Sequence, residues 1–208
     1  MRRPEELNNA VFEEKVIGVA WGDEIRWVLV GSTTENKFYV IDIGIFDEID
    51  TVKNVEKLKL LVSRENPKRI ICDAGYGKTK NQILIRYYPG RVWSAFTNSD
   101  SIIPIWNTIK AINGLPLPEE DWQYHVSINH TAMGENTETI INRRNLGIYY
   151  FPEQAARTDV FIFEVSQAEA EEVSTSTGKQ RRFSITSAHG YSVLSYALLP
   201  YAFGAGLH

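Results

Sequence analysis

The sequence predicts an α/β domain on a mixed β-sheet, an antiparallel three-strand meander extended by parallel crossover strands and flanked by helices. Three observations predict it. Residues 15–46, KVIGVAWGDEIRWVLVGSTTENKFYVIDIGIF, alternate and are rich in Val, Ile, Phe, Tyr and Trp, with turn residues at WGDE and TTENK. Two strand–helix–strand units follow, and crossovers of that kind join parallel strands. The chain closes on an apolar helical stretch, SVLSYALLPYAFG.

The elements follow in order. Residues 1–14 are polar and acidic and read as a short helix or linker, leaving 15–208 as the folded domain. After the three strands, TVKNVEKLKLLVSREN places Val52, Val55, Leu58 and Val62 at helical spacing and is ended by Pro67. RIICDAGYG is a short apolar strand running into a Gly-rich turn, KTKNQILIRYY a helix and RVWSAF a strand. WQYHVSINHT reads as a strand, ENTETIINRRNLG as a helix closing on Gly147, and IYYFP as extended chain. VFIFEVSQAEAEEVSTSTGKQRRFSITS predicts a two-stranded excursion turning at STGKQ, before a last helix that opens at Ala188-His189. The chain has no internal repeat, low-complexity tract or second domain.

Composition bounds the function. At 208 residues, 43% hydrophobic and 23% charged, the chain can bury a sizeable core and is a soluble globular protein. No apolar run is long enough to span a membrane, and the N-terminus has no signal-peptide core. One cysteine, Cys72, excludes internal disulfides and a multi-cysteine zinc site and suits a reducing, cytoplasm-like compartment. A net charge of −4 does not mark a strongly basic nucleic-acid binder. A nuclease, however, gathers acids at its metals and bases along its phosphates, and the two can nearly cancel. The local cations are Lys78 with Lys80, Arg143 with Arg144, and Lys179 with Arg181 and Arg182. Each is a candidate phosphate contact, although a solvated face is the commoner role for such groups.

Two strand ends are candidate site positions: GVAWGD, where the first strand ends at Ala20, and IICDAGYG, where the first crossover strand ends at Asp73. Ligands of open α/β sheets gather beyond strand ends. Capping of the following turn explains Asp73 equally well. GYGKT ends like a phosphate-binding loop, but the glycine required five residues before Gly77 is Cys72, so the spacing fails. His189 stands at the start of the last helix, and His125, His130 and His208 read as structural.

Taken as an ordered set, GV-x-WG, D-x-GYG, INRRNLGIYYFP and H-x-x-SVLSYAL resemble the nuclease domain of bacteriophage large terminases, over residues 15–203. The resemblance implies a ribonuclease H-like fold and two-metal cutting of concatemeric double-stranded viral DNA with Mg²⁺ or Mn²⁺. It implies as partners DNA, a terminase ATPase domain, the small terminase subunit and the portal, in the host cytoplasm and away from membranes. It places Asp73 and His189 as metal ligands and calls for an aspartate at position 20. Alanine has no ligand atom. Asp23, three residues on, could substitute in part, but it is expected to point into the following turn. The alanine is either a deliberate change that silences cutting or a natural degeneration, and the intact surroundings favour the first. Two other readings stand beside this one: a catalytically dead ribonuclease H-like module that binds DNA or a partner, and a resolvase- or transposase-type nuclease.

Overall fold

The computed structural model describes residues 11–22, 24–46, 51–75, 77–143, 145–149, 154–175, 178–184 and 189–204. Strands β1 (Glu14–Ala20), β2 (Ile25–Ser32) and β3 (Phe38–Phe46) form the antiparallel meander. Helix α1 (Thr51–Glu65) leads to β4 (Arg69–Asp73), and α2 (Lys78–Tyr87) leads to β5 (Val92–Phe96). Then come β6 (Ile105–Ile109), a small hairpin of β7 (Ala111–Ile112) and β8 (Leu115–Pro116), and β9 (Gln123–Ser127). Helix α3 (His130–Asn142), β10 (Leu146–Ile148), α4 (Ala155–Ser166), β11 (Glu169–Thr175), β12 (Gly178–Ser184) and α5 (His189–Leu198) complete the order.

Eight strands make one sheet in the order β10-β3-β2-β1-β4-β5-β9-β6. Strands β1, β4, β5 and β9 run parallel, and the two crossovers join β3 to β4 and β4 to β5. The sheet is covered on both faces. On the first, α1 and α2 bury Val55, Leu58, Leu61, Val62, Leu84 and Ile85 against Ile17, Val19, Ile70 and Cys72. On the second, α3, α4 and α5 lay Ile140, Phe161, Val193 and Leu194 over Val16, Ile71 and Val126. Strands buried on both faces read as continuous apolar runs, which is why RIICD was recognisable. Helix α5 lies directly on β1: a Cβ at Gly18 would be 2.0 Å from the Val193 carbonyl oxygen.

Several expectations are corrected. Val160–Ser166 belong to a helix, not to the two-stranded excursion, whose strands are β11 and β12. The β-branched and aromatic residues of VFIFEV favour strands locally, but Thr158 and Phe161 form a buried helical stripe while Val160 and Phe163 face out. Val52 is exposed, because at 100° per residue it lies about 120° around α1 from Leu58, and Leu61 completes the stripe instead. Helix α3 starts at His130, where Asn129 accepts from the Ala132 N–H, so the strand before it ends earlier than the alternation implied. The last helix stops at Leu198, ahead of Pro200, and continues as 3₁₀ turns. Phe12, expected in a linker, packs against Tyr39.

Candidate strand-end site

Val19 of β1 is in register with Cys72 of β4, so Ala20 and Asp73, the last residues of two adjacent parallel strands, come next. Side chains alternate between sheet faces. Ala20 packs with the second-face core, and Asp73, two residues beyond Ile71, shares that face beneath α5. The Gly75 N–H donates to Asp73 Oδ1 at 3.1 Å, so the carboxylate also caps its own turn. Burial and then the Asp73 charge push the Tyr196 phenol of α5 well above its ordinary range.

A buried amide fixes the spacing of these strand ends. Asn81 of α2 accepts from Trp21 Nε1 at 2.7 Å and donates to the Asp73 carbonyl at 3.0 Å and to Ser94 Oγ at 3.1 Å. It is fully enclosed, and its hydrogen bonds tie the ends of β1 and β4 to the middle of β5. A side chain at 77 would meet the Trp21 ring at 1.7 Å, so glycine there lets the indole reach the amide. Sequence reasoning missed Asn81. The available signal was a polar residue on the Asn81–Leu84–Ile85 buried stripe.

Arg26 was missed as well. It is the β2 residue directly across from Ala20. Its guanidinium pairs with Glu164 of α4 and, at 3.2 Å, with the more exposed Glu24. The second Glu164 oxygen accepts from the Gly190 N–H at 2.9 Å, in the first turn of α5. His189, the residue before, is exposed. The signals were a lone cation between the buried Ile25 and Trp27, and a lone acid in VFIFEVS.

The basic candidates divide. Lys78 and Lys80 open α2, with Lys80 Nζ 5.1 Å above the Trp21 ring and thus at the strand-end rim. Burial and the nearby Lys78 charge hold the His125 imidazole below its ordinary value, favouring its neutral form. Arg143 ends α3, and the following Asn145 carbonyl accepts from the Phe38 N–H. Phe38 shares a row with Ser32 and Glu14, the far end of the sheet, about 20 Å of strand from Ala20. Lys179, Arg181 and Arg182 lie on β12, where the register sets Arg181 opposite Glu172 and Arg182 opposite Glu171. Arg144, Asp23 and His208 lie outside the described residues.

A pair of divalent ions requires several hard oxygen ligands converging on one point. Ala20 supplies none, Arg26 stands across from it, both Glu164 oxygens are engaged, and no group of three His, Cys, Asp or Glu among the described residues could hold a metal ion. As the chain stands, these residues do not fit a two-metal centre.

No family model matches the sequence, and no curated protein matches it. The structure is similar to the crystal structure of the large terminase nuclease from thermophilic phage G20c, with a TM-score of 0.50 at 9% identity over 89% of this chain and 81% of that one. The chain has a ribonuclease H-like fold. The yeast mitochondrial Holliday junction resolvase Ydc2 aligns at a TM-score of 0.39 and 7% identity over 95% of this chain and 85% of that one. Among the described residues, no helix is long and apolar enough to cross a membrane.

Proposed function

We propose that this is the DNA-cutting domain of a large-terminase-type nuclease whose metal centre lacks one carboxylate in this chain. The observation that carries the reading is the β1–β4 register, which makes position 20 and Asp73 neighbours on the α5 face. A carboxylate restored at 20 would stand beside Asp73, with α5 and His189 supplying the third side. Mg²⁺ or Mn²⁺ held there would activate water and stabilise the leaving oxygen of a phosphodiester. Lys78 and Lys80, at the same rim, would contact double-stranded DNA through its phosphates. Arg143, Arg144 and the β11–β12 hairpin, with Lys179, Arg181 and Arg182, would add contacts further out. The ATPase domain, small subunit and portal belong to this reading as partners, and the host cytoplasm as its location.

The test is plasmid nicking with Mg²⁺ or Mn²⁺ by three proteins: the chain as it stands, Ala20→Asp, and Ala20→Asp with Asp73→Ala. Only the second should cut. If it cuts no better than the first while folded and DNA-bound, the site is assigned to the wrong residues. A dead, DNA- or partner-binding module is the second reading, favoured by Arg26 lying across from Ala20 with Glu164 already engaged. On that reading Ala20→Asp leaves the protein inactive, and duplex binding persists with the steep salt dependence of phosphate contacts.

A further inference from the structure

Beside α2, a groove of about 440 Å³ opens between that helix and the segment that carries the β7–β8 hairpin and a 3₁₀ turn, Glu119–Asp121. Its volume lies in the range that holds a small organic ligand. Thr79 and Arg86 of α2 both line it, so by helical rise it is at least about 10 Å long. At one end Arg86 pairs with Asp121 at 3.1 Å and joins the helix to the 3₁₀ turn. At the other end Lys78 and Lys80 flank Thr79 at the strand-end rim. Ile83 on the helix side and Ile112 on the hairpin side, 38% and 46% exposed, give it apolar surface. Gln82, Gln123 and Glu120 add two carboxamides and a carboxylate to the lining. Among the described residues, none of these three side chains has a hydrogen-bond or ion-pair partner. Apolar walls with unbonded polar groups between them suit a flat ring that hydrogen-bonds along its edge, and the cations at the rim suit an anion attached to that ring.

We propose that this groove takes an unpaired nucleobase of a DNA strand whose phosphate lies on Lys78, with preference for a base that carries an exocyclic amine. The proposal rests on the DNA-binding reading above and needs no metal ion. A carboxylate such as Glu120 accepts from the N4 amine of cytosine, whereas thymine presents an oxygen acceptor in the same place. A carboxamide both donates and accepts, so Gln82 and Gln123 can serve the rest of the edge. A paired base cannot enter, because its edge is already bonded and leaving the stack costs free energy. The groove therefore separates a single-stranded end from continuous duplex, a distinction that reaches beyond the rim lysines' hold on phosphate.

The experiment is fluorescence anisotropy in EDTA on the chain as it exists. The probe is a labelled duplex with a short overhang of cytosine, of thymine or of abasic sites, which keep the phosphates and remove the bases. The cytosine overhang should bind about tenfold tighter than the abasic one, within the range for one base seated against protein, and tighter than thymine. Glu120→Gln should erase the difference between cytosine and thymine. Gln82→Ala with Gln123→Ala should bring cytosine toward the abasic value, and Lys78→Gln should weaken all three overhangs alike. Equal affinity for cytosine and either other overhang would overturn the proposal while leaving phosphate-driven DNA binding standing. So would a cytosine preference that survives both groove variants, since the base would then sit elsewhere. Absence of binding to every overhang and to the blunt duplex at low salt would overturn the DNA reading, and this site with it. Should the double glutamine variant not fold, as judged by thermal melts, Glu120→Gln alone decides, because Glu120 is exposed. An unchanged ratio of cytosine to thymine affinity in that variant would overturn the proposal.

Discussion

Replacing Asn81 with alanine removes the amide that joins the ends of β1 and β4 to the middle of β5. The Trp21 indole N–H loses its acceptor inside the core, the Ser94 hydroxyl loses a donor, and the Asp73 carbonyl loses one bond. An orphaned buried group costs about 1–3 kcal/mol, and the serine can turn its proton toward another partner, so the total should be about 2–5 kcal/mol. For a domain of this size that corresponds to a fall in Tm of roughly 5–15 °C. The assay is urea unfolding followed by tryptophan fluorescence and circular dichroism, with linear extrapolation. Trp21→Phe removes one donor of the same network and should cost about 1–3 kcal/mol, and combining the two should cost less than their sum because the lost bond is shared. A loss below about 1 kcal/mol for Asn81→Ala, or strict additivity in the double variant, would refute the claim that this network holds the strand ends together.

Three further outcomes follow from the packing and electrostatics. Gly18→Ala should destabilise by more than about 2 kcal/mol, because the new Cβ would meet the Val193 carbonyl at 2.0 Å and the Ala197 nitrogen at 2.8 Å; a thermal melt within a degree of the parent would contradict it. Burial lifts the Asp42 carboxyl above its ordinary value of 3.8, against the pull of the Ile43 N–H and the Arg64 charge. The folded state therefore holds this proton more tightly than the unfolded chain, and the resulting stability is full below 3.8 and lost as pH rises through the folded value. Comparing urea stability across that window, Asp42→Asn should remove this part of the pH dependence, and parallel curves for the two proteins would count against it. Burial, and then the Asp73 charge, push the Cys72 thiol far above its usual range, so a thiol reagent should label it only as fast as the protein unfolds. Rapid labelling of the native protein would show that the β4 core is open.

Much of this architecture was legible because its signals are local. An apolar run ending in a turn marks a strand end, and GVAWG and DAGYG are such runs, so positions 20 and 73 could be named before their register was seen. The edge strand β6 gave no such signal, since IWNTI has one face packed on Trp93 and the other exposed. Helix α4 read as strand because VFIF carries β propensity, and only packing on the sheet through Thr158 and Phe161 makes it helical.

The sequence by itself determined the order of the elements from the meander through β5, the two strand ends, the acid at 73 and the alanine at 20. These depend on periodicity and turn chemistry over a few residues. Tertiary structure alone decided which side chains share a face. Arg26 meets position 20 through strand pairing, Glu164 reaches Arg26 from 138 residues away, and Asn81 reaches Trp21 across 60. It also placed Arg143 at the far end of the sheet and set Arg181 and Arg182 opposite glutamates. The physical reason is that a charge is legible in one dimension, whereas its partner is chosen by a fold whose long-range contacts leave no periodic trace in the chain.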